Sequence, residues 1–212
     1  MNFTIRQEQP NDFRAVEELT REAFWNQDSP GCAEHYLAHI MRDSPDFIPQ
    51  LTLVALGEDG SVVGSIMYTH SSIEDKEGNH HPAITFGPIS VDPTVQKQGI
   101  GAALIIESKK LAANMGFKAI AIFGRPAYYH RFGFRTAKEF GIQTGSGEYA
   151  PAHMVMELHE GALAGISGRF CESSVFELNP DEVEAFDKGF PHKEKMVTPS
   201  QKEFEILAAQ RI

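Results

Sequence analysis

The sequence predicts an α/β (α+β) protein, a mixed sheet flanked by helices, and three observations predict it. Residues 51–74, "LTLVALGEDGSVVGSIMYTHSSIE", place two β-rich runs around Glu58-Asp59-Gly60, the shape of a hairpin. Residues 83–91 ("AITFGPISV") and 117–124 ("FKAIAIFG") are strand-like runs separated by a helical pattern, so a right-handed crossover joins them as parallel neighbours. The second run is apolar almost throughout, as expected of a strand covered on both faces.

The remaining elements follow in order. "FTIRQEQ" (3–9) reads as a first strand, and Asn11 or Asp12 is expected to cap a helix running to about Phe24. Phe13, Val16, Leu19 and Phe24 give that helix its apolar stripe. "GCAEHYLAHIMR" is a second helix ended by the turn residues of "DSPDF", and "EDKEGNHH" is a loop. Gly87-Pro88 are poor ladder formers and predict a bulge or break within 83–91. From Gly99 to Met115 the pattern is helical, with Ile100, Ala103, Leu104, Leu111 and Met115 on one face and Gly116 as the stop. "PAYYHRFGF" is a short helix opened by Pro126 and ended by Gly133. "FGIQT" and "HMVMEL" are two further strands. The composition changes near Gly161, where a strand in "GRFCESSVFEL" and helices in "DEVEAFDKGF" and "PSQKEFEILAAQ" are expected. The division is therefore a domain over 1–160 and a C-terminal extension over 161–212 packed on it.

Composition narrows the function classes. The chain has 212 residues, 42% hydrophobic and 23% charged, as ordinary soluble globular proteins do. A net charge of −10 argues against nucleic acid as a partner and is compatible with a cationic substrate. No apolar run is long enough to span a bilayer, and the start "MNFTIRQEQP" lacks the shape of a signal peptide. Cys32 and Cys171 form neither a disulfide framework nor a zinc site by themselves and read as reduced thiols, so a cytoplasmic location is expected. No membrane partner and no metal are expected; the assembly is a monomer or homodimer.

The chemistry-bearing stretch is "ISVDPTVQKQGIGAAL", residues 89–104. Glycines at a helix start clear side chains from the place where unpaired N–H groups point outward. A nucleotide P-loop needs Lys and then Ser or Thr after its last glycine, whereas Ala102-Ala103 follow Gly101. A dinucleotide fingerprint needs a small residue where Leu104 stands and belongs in the first strand–helix unit. A glycine helix start with no ligand is the plain alternative.

The fuller pattern, an "ISV" strand, a proline turn and Gln96-x-x-Gly99-x-Gly101 on a helix, resembles the acyl-CoA site of the GNAT N-acetyltransferase superfamily. Tyr129 to Gly133-Phe134 matches that family's Tyr-x-x-x-Gly-Phe segment, and the order of elements over residues 3–158 matches as well. "RPAYYHRFGF" with "GALAGISG" resembles its YhbS-like bacterial branch. The resemblance implies a mixed, mostly antiparallel sheet with one parallel strand pair at the acyl-CoA cleft. It implies acetyl-CoA as acyl donor, a small-molecule or peptide amine as acceptor, and direct transfer in a ternary complex. The pyrophosphate would sit on the N–H groups of Lys97, Gln98, Gly99, Ile100, Gly101 and Ala102, with Gln96 opening the loop and Lys97 adding charge. The backbone of Ile89, Ser90 and Val91 would pair with the pantetheine amides as an added strand does. Aromatic packing is the plain alternative for both Tyr128 and Tyr129; the register with Gly133-Phe134 singles out Tyr129, which would be the general acid toward the leaving sulfur.

A general base is not evident, because "ITFGPISV" carries no carboxylate or histidine. His35 and His39, at i and i+4, have metal-ligand spacing but no third ligand nearby and read as a solvent-facing pair. His80-His81 read as part of a solvated loop, and His70 ends a strand. The acceptor pocket would be built by the helices near residues 25–45 and the hairpin, with the tail as a further contributor. The rival from another class is a non-catalytic acyl-CoA-binding sensor or interaction module, which amine-dependent CoA release would separate from an enzyme.

Overall fold

A computed structural model describes residues 2–212. The chain runs β1 (Phe3–Gln7), α1 (Phe13–Phe24), α2 (Glu34–Met41), β2 (Leu53–Gly57), β3 (Val62–Glu74), β4 (His80–Val91), α3 (Ile100–Asn114), β5 (Ala119–Phe123) and α4 (Pro126–Tyr129). It continues with β6 (Arg135–Thr136), β7 (Ile142–Gln143), β8 (His153–Glu157), β9 (Gly168–Cys171), α5 (Pro180–Asp187) and α6 (Pro199–Ala209). The sheet order is β1-β2-β3-β4-β5-β8-β6, antiparallel except where β4 meets β5. The tail adds β9 beside β3, and β9 makes a second, short parallel contact with β7.

Alternation along the strands sends side chains to two covered faces. Leu53, Ala55, Ile66, Tyr68, Ile120 and Ile122 pack under α3 with Ile100, Leu104 and Ile105. The intervening Val54 and Met67 pack against Val16 of α1 and Leu37 and Met41 of α2. At the far end, Ala119, Ala121 and Val155 are covered by Ile142, Leu163 and Phe170, so β9 completes a core rather than decorating it. Gly64 permits the close approach of α3 to the sheet: a Cβ there would lie 2.6 Å from Ile100 Cγ2.

Several local expectations need adjustment. Asp12 stands at the start of α1, but its carboxylate accepts from Gln9 N at 2.7 Å and from Arg6 at 2.6 Å instead of capping the helix. Residues 74–81 are not all loop, because β3 and β4 pair down to Glu74↔His80. Met115 is 45% exposed and leaves the α3 face, which Ser108 and Ala112 complete. The expected irregularity at Gly87-Pro88 is a bulge: β3 advances from Ile66 to Tyr68 while β4 goes from Ile89 to Phe86.

Beyond β9 the tail crosses α1 and α2. Arg21, 2% exposed, holds Asp187 at 2.6 Å, and Asp187 also lies 3.2 Å from His35. Asn26, at φ 59°, then fastens the extended run before α6. Its Nδ2 donates to Glu194 O, its Oδ1 accepts from Met196 N, and its carbonyl accepts from Thr198 Oγ1 and Gln201 Nε2. At the other end of α6, Arg211 donates to Glu148 at 2.6 Å and Ile212 N to Tyr149 O at 3.0 Å. The helix is thus held at both ends.

Candidate active site

β4 and β5 pair at one register position, Ile84↔Ile120, and then diverge. Past that point β4 keeps β3 on one side, while its other edge opens on a cleft closed by the start of α3. This cleft, of ≈ 790 Å³, is lined by Ile89 and Val91 from the strand and by Gln96 and Lys97 from the turn. Gly99, Ile100, Gly101 and Ala102 form its helical wall.

The turn is built by two left-handed residues, Lys97 at φ 63° and Gly99 at φ 90°. A lysine in that conformation is strained by about 1–2 kcal/mol, a cost such loops carry where a ligand is met. Gln96 Nε2 donates to Val91 O at 3.2 Å and ties the turn to the strand end. The first bond along α3 runs from Ala103 N to Gly99 O at 2.9 Å, so the N–H groups of Ile100, Gly101 and Ala102 are left for a ligand. A Cβ at Gly101 would stand 3.2 Å from the Tyr128 hydroxyl and 3.5 Å from Val91 Cγ2, inside the space a ligand would use. These features fit an acyl-CoA pyrophosphate and pantetheine arm.

Two of the expected residues are not among those lining the cleft. The Ser90 side chain is buried against α1, its Oγ donating to Thr20 Oγ1 at 3.0 Å, which leaves only its backbone for the cleft. Gln98 is exposed and lies outside the lining.

A second cavity, of ≈ 810 Å³, opens on the other side of the strand junction. Phe24, Ile89, Arg125 and Tyr128 line both cavities, so the two meet there. Tyr129 lines the second one, packed on Phe86 and Phe134 with ring centroids at 5.9 and 5.7 Å. Its ring lies over Gly124, where a Cβ would come within 2.3 Å of it. Burial, with the neighbouring Tyr128 as a lesser cause, pushes the Tyr129 phenol up and keeps it protonated. Tyr128 is the more exposed of the pair and carries Arg131 over its ring at 4.2 Å.

The second cavity also gathers residues that no local pattern marks. Glu34, from the first turn of α2, and Asp28 face it, and burial pushes both carboxyls up. Beside them, Cys32 Sγ donates to Glu34 Oε2 at 3.3 Å. Burial and the Glu34 charge push that thiol well above its ordinary range, so it stays a protonated, poor nucleophile. Phe204, Leu207 and Arg211 reach the cavity from the C-terminal end. Arg125 and Arg131 bring cations to the first cleft. The only advance sign of these cations was their place beside the Tyr-x-x-x-Gly-Phe segment.

The histidines stand apart from both cavities. His35 is fully buried between Phe186 and Phe190, against the expectation of a solvent-facing pair; His39 does reach solvent and contacts Glu17 at 2.9 Å. The tail supplies the aromatic cover that His35 alone does not announce. His80 and His81 lie on β4 and contact Ser72 and Asp75, not a free loop. His70 lies inside β3 rather than at its end. Among the described residues no group of three or more His, Cys, Asp or Glu could hold a metal ion, and no helix is long and apolar enough to cross a membrane.

Splayed parallel strands with a glycine-opened helix at their mouth define a class, and the chain belongs to it: the acetyltransferase (GNAT) family, whose model matches residues 13–134. Within that family the chain is similar to the N-acetyltransferase YhbS of Escherichia coli (strain K12). The two are 30% identical over 164 residues, which cover 77% of this chain and 92% of that protein. The structure of Escherichia coli YhbS in complex with CoA matches with a TM-score of 0.75 at 26% identity, covering 84% of this chain and 93% of that one. A GNAT family acetyltransferase from Brucella melitensis in complex with acetyl-CoA matches with a TM-score of 0.64 at 25% identity, covering 82% and 98%.

Proposed function

We propose that this protein moves an acetyl group from acetyl-CoA to a primary amine by direct attack in a ternary complex. One observation carries the reading: two cavities of similar size meet at Ile89, Arg125 and Tyr128, where β4 and β5 part. One has unpaired helix N–H groups and cations; the other has carboxylates and an apolar wall. A donor and an acceptor can therefore be held at once. The bound CoA and acetyl-CoA of the YhbS and Brucella structures support the assignment of the first cavity.

In this reading the N–H groups of Ile100, Gly101 and Ala102, with those of Lys97 and Gly99 and the Lys97 charge, hold the pyrophosphate. Arg131 adds a second cation. The backbone of Ile89 to Val91 aligns the pantetheine arm. Acetyl-CoA supplies a thioester whose acyl carbon accepts the amine nitrogen and whose sulfur leaves with the bonding pair. Tyr129, kept protonated by burial, offers its O–H to that sulfur. A phenol with a raised pKa is too weak an acid to surrender its proton fully to a thiolate (pKa about 8.5), so its contribution is a hydrogen bond strengthened as charge develops. The protonated Cys32 is unsuited to carry an acyl group, which supports direct transfer.

A screen of amines and peptides against acetyl-CoA, read as free thiol released, tests the proposal. Amine-dependent release is expected. Acetyl-CoA binding with no amine-dependent turnover would overturn it in favour of a sensor.

A further inference from the structure

The identity of the acceptor rests on the transferase reading above and on the walls of the second cavity. Of the carboxylates lining it, Asp28 faces Arg125 at 3.8 Å, whereas Glu34 has no cationic side chain within 4.0 Å among the described residues. Glu34 Oε2 already accepts from Cys32 Sγ and from Ala33 N at 3.1 Å, which fixes the carboxylate and leaves Oε1 for a ligand. The cavity's own cations already face carboxylates other than Glu34: Arg211 donates to Glu148 at 2.6 Å, and Arg125 lies 3.8 Å from Asp28 and 3.9 Å from Glu203.

The rest of the wall is apolar. Phe123 is 47% exposed and Phe204 37% exposed, and both turn toward this cavity, with Leu207 beside Phe204 on α6. Thr144 and Ser146 are also in the wall, but their hydroxyls are joined at 2.9 Å, and Ser146 donates to Glu148. A peptide or polyamine would leave its polar groups unmatched on such a surface.

We propose that the cavity beneath α6 receives a primary amine carried on an aryl or alkyl body, with Glu34 meeting the ammonium and Phe204 and Leu207 covering the apolar part. The volume, ≈ 810 Å³, suits an occupant of drug-like size. Desolvation raises the Glu34 pKa and makes it a better proton acceptor than an exposed carboxylate. The ammonium proton passes to Glu34 Oε1, the freed nitrogen lone pair forms the C–N bond, and the C–S pair leaves on sulfur. The second nitrogen proton then goes to solvent.

The test uses the full chain with linear alkylamines from ethylamine to octylamine, 2-phenylethylamine, spermidine and an alanyl dipeptide. Activity as kcat/KM is expected to rise about fourfold per methylene along the series. Phe204→Asp and Leu207→Asp should flatten that slope, with Phe204→Ala and Leu207→Ala as substitutes if either charged variant melts early. Calorimetry on the CoA-loaded protein supplies a readout independent of turnover. Glu34→Gln should weaken octylamine binding about 10- to 100-fold while changing octanol binding less than threefold. Preference for spermidine or the dipeptide would overturn the apolar-amine assignment and leave the transferase standing. Octylamine binding that depends on Glu34 without turnover would uphold the ligand class and overturn the catalytic reading. Failure of octylamine to bind at all would overturn the inference.

Discussion

A carboxylate introduced at position 101 would stand in the mouth of the cleft proposed for acetyl-CoA. Gly101 has ordinary helical backbone, so a side chain there does not strain the chain itself. Its Cβ would lie 3.2 Å from the Tyr128 hydroxyl and 3.5 Å from Val91 Cγ2. Gly101→Ala therefore asks only that one tyrosine tip move by a few tenths of an ångström, and a loss of acetyl-CoA affinity under about tenfold is expected. Gly101→Glu adds charge. At about 5 Å and an effective dielectric constant of about 20, a carboxylate repels each pyrophosphate charge by about 3 kcal/mol. Two such charges, even halved by solvent, give a loss of about 3 kcal/mol or more, at least about a hundredfold in affinity. Titration calorimetry with acetyl-CoA measures this, with circular dichroism and a thermal melt to show that the variant is folded. Folded Gly101→Glu protein that binds within tenfold of wild type would refute the anion cradle, and with it the assignment of Lys97 to Ala102.

Three further outcomes are expected. Tyr129→Phe should lower kcat by about 10² or somewhat less with acetyl-CoA affinity nearly unchanged, and Tyr128→Phe should do less; pre-steady-state turnover in which chemistry limits the rate checks this. Arg21→Met should cost about 3 kcal/mol in urea unfolding and open residues 180–198 to proteolysis, because Asp187 loses its buried partner at 2.6 Å. Burial lowers the pKa values of His35 and His153 to about 4, and neither ring nitrogen of His153 finds a hydrogen-bond partner. From about pH 6.5 down to 4 the unfolded chain binds more protons at these sites, so their contribution, complete above that window, is lost as pH falls through it. Glu34, Asp28 and Glu172 have raised pKa values and slope the other way. The difference between wild type and His153→Leu isolates the histidine: the variant should lose less stability between pH 7 and 5, measured by urea midpoints, and an unchanged slope would contradict it.

The sequence discloses the fold where local physics decides it. Period-2 and period-3.6 patterns mark β2 to β5 and α3, and the Gly87-Pro88 bulge follows from residues that ladder poorly. The turn over residues 96–101 is legible because its chemistry is local: backbone N–H groups and glycines within a few residues of one another. The second cavity is assembled instead from Glu34, Phe123 and Leu207, segments that meet only in three dimensions. Phe24 reads as an ordinary core position by its spacing, yet it lines both cavities, since periodicity distinguishes a helix face but not what that face meets. The burial of His35 is hidden from the pattern for the same reason, since it depends on Phe186 and Phe190. How the tail clasps Asn26 and brings α6 to the cavity is a matter of side-chain hydrogen bonds that leave no periodic trace.

A quenched single turnover with acetyl-labelled acetyl-CoA and excess amine distinguishes direct transfer in a ternary complex from an acyl-enzyme route. The label should appear on the amine nitrogen at the same rate as CoA thiol is released, with none on the protein at any time. Label resting on Cys32, Cys171 or another side chain before reaching the amine, or leaving as acetate at a rate indifferent to amine, would rule out direct transfer to the amine.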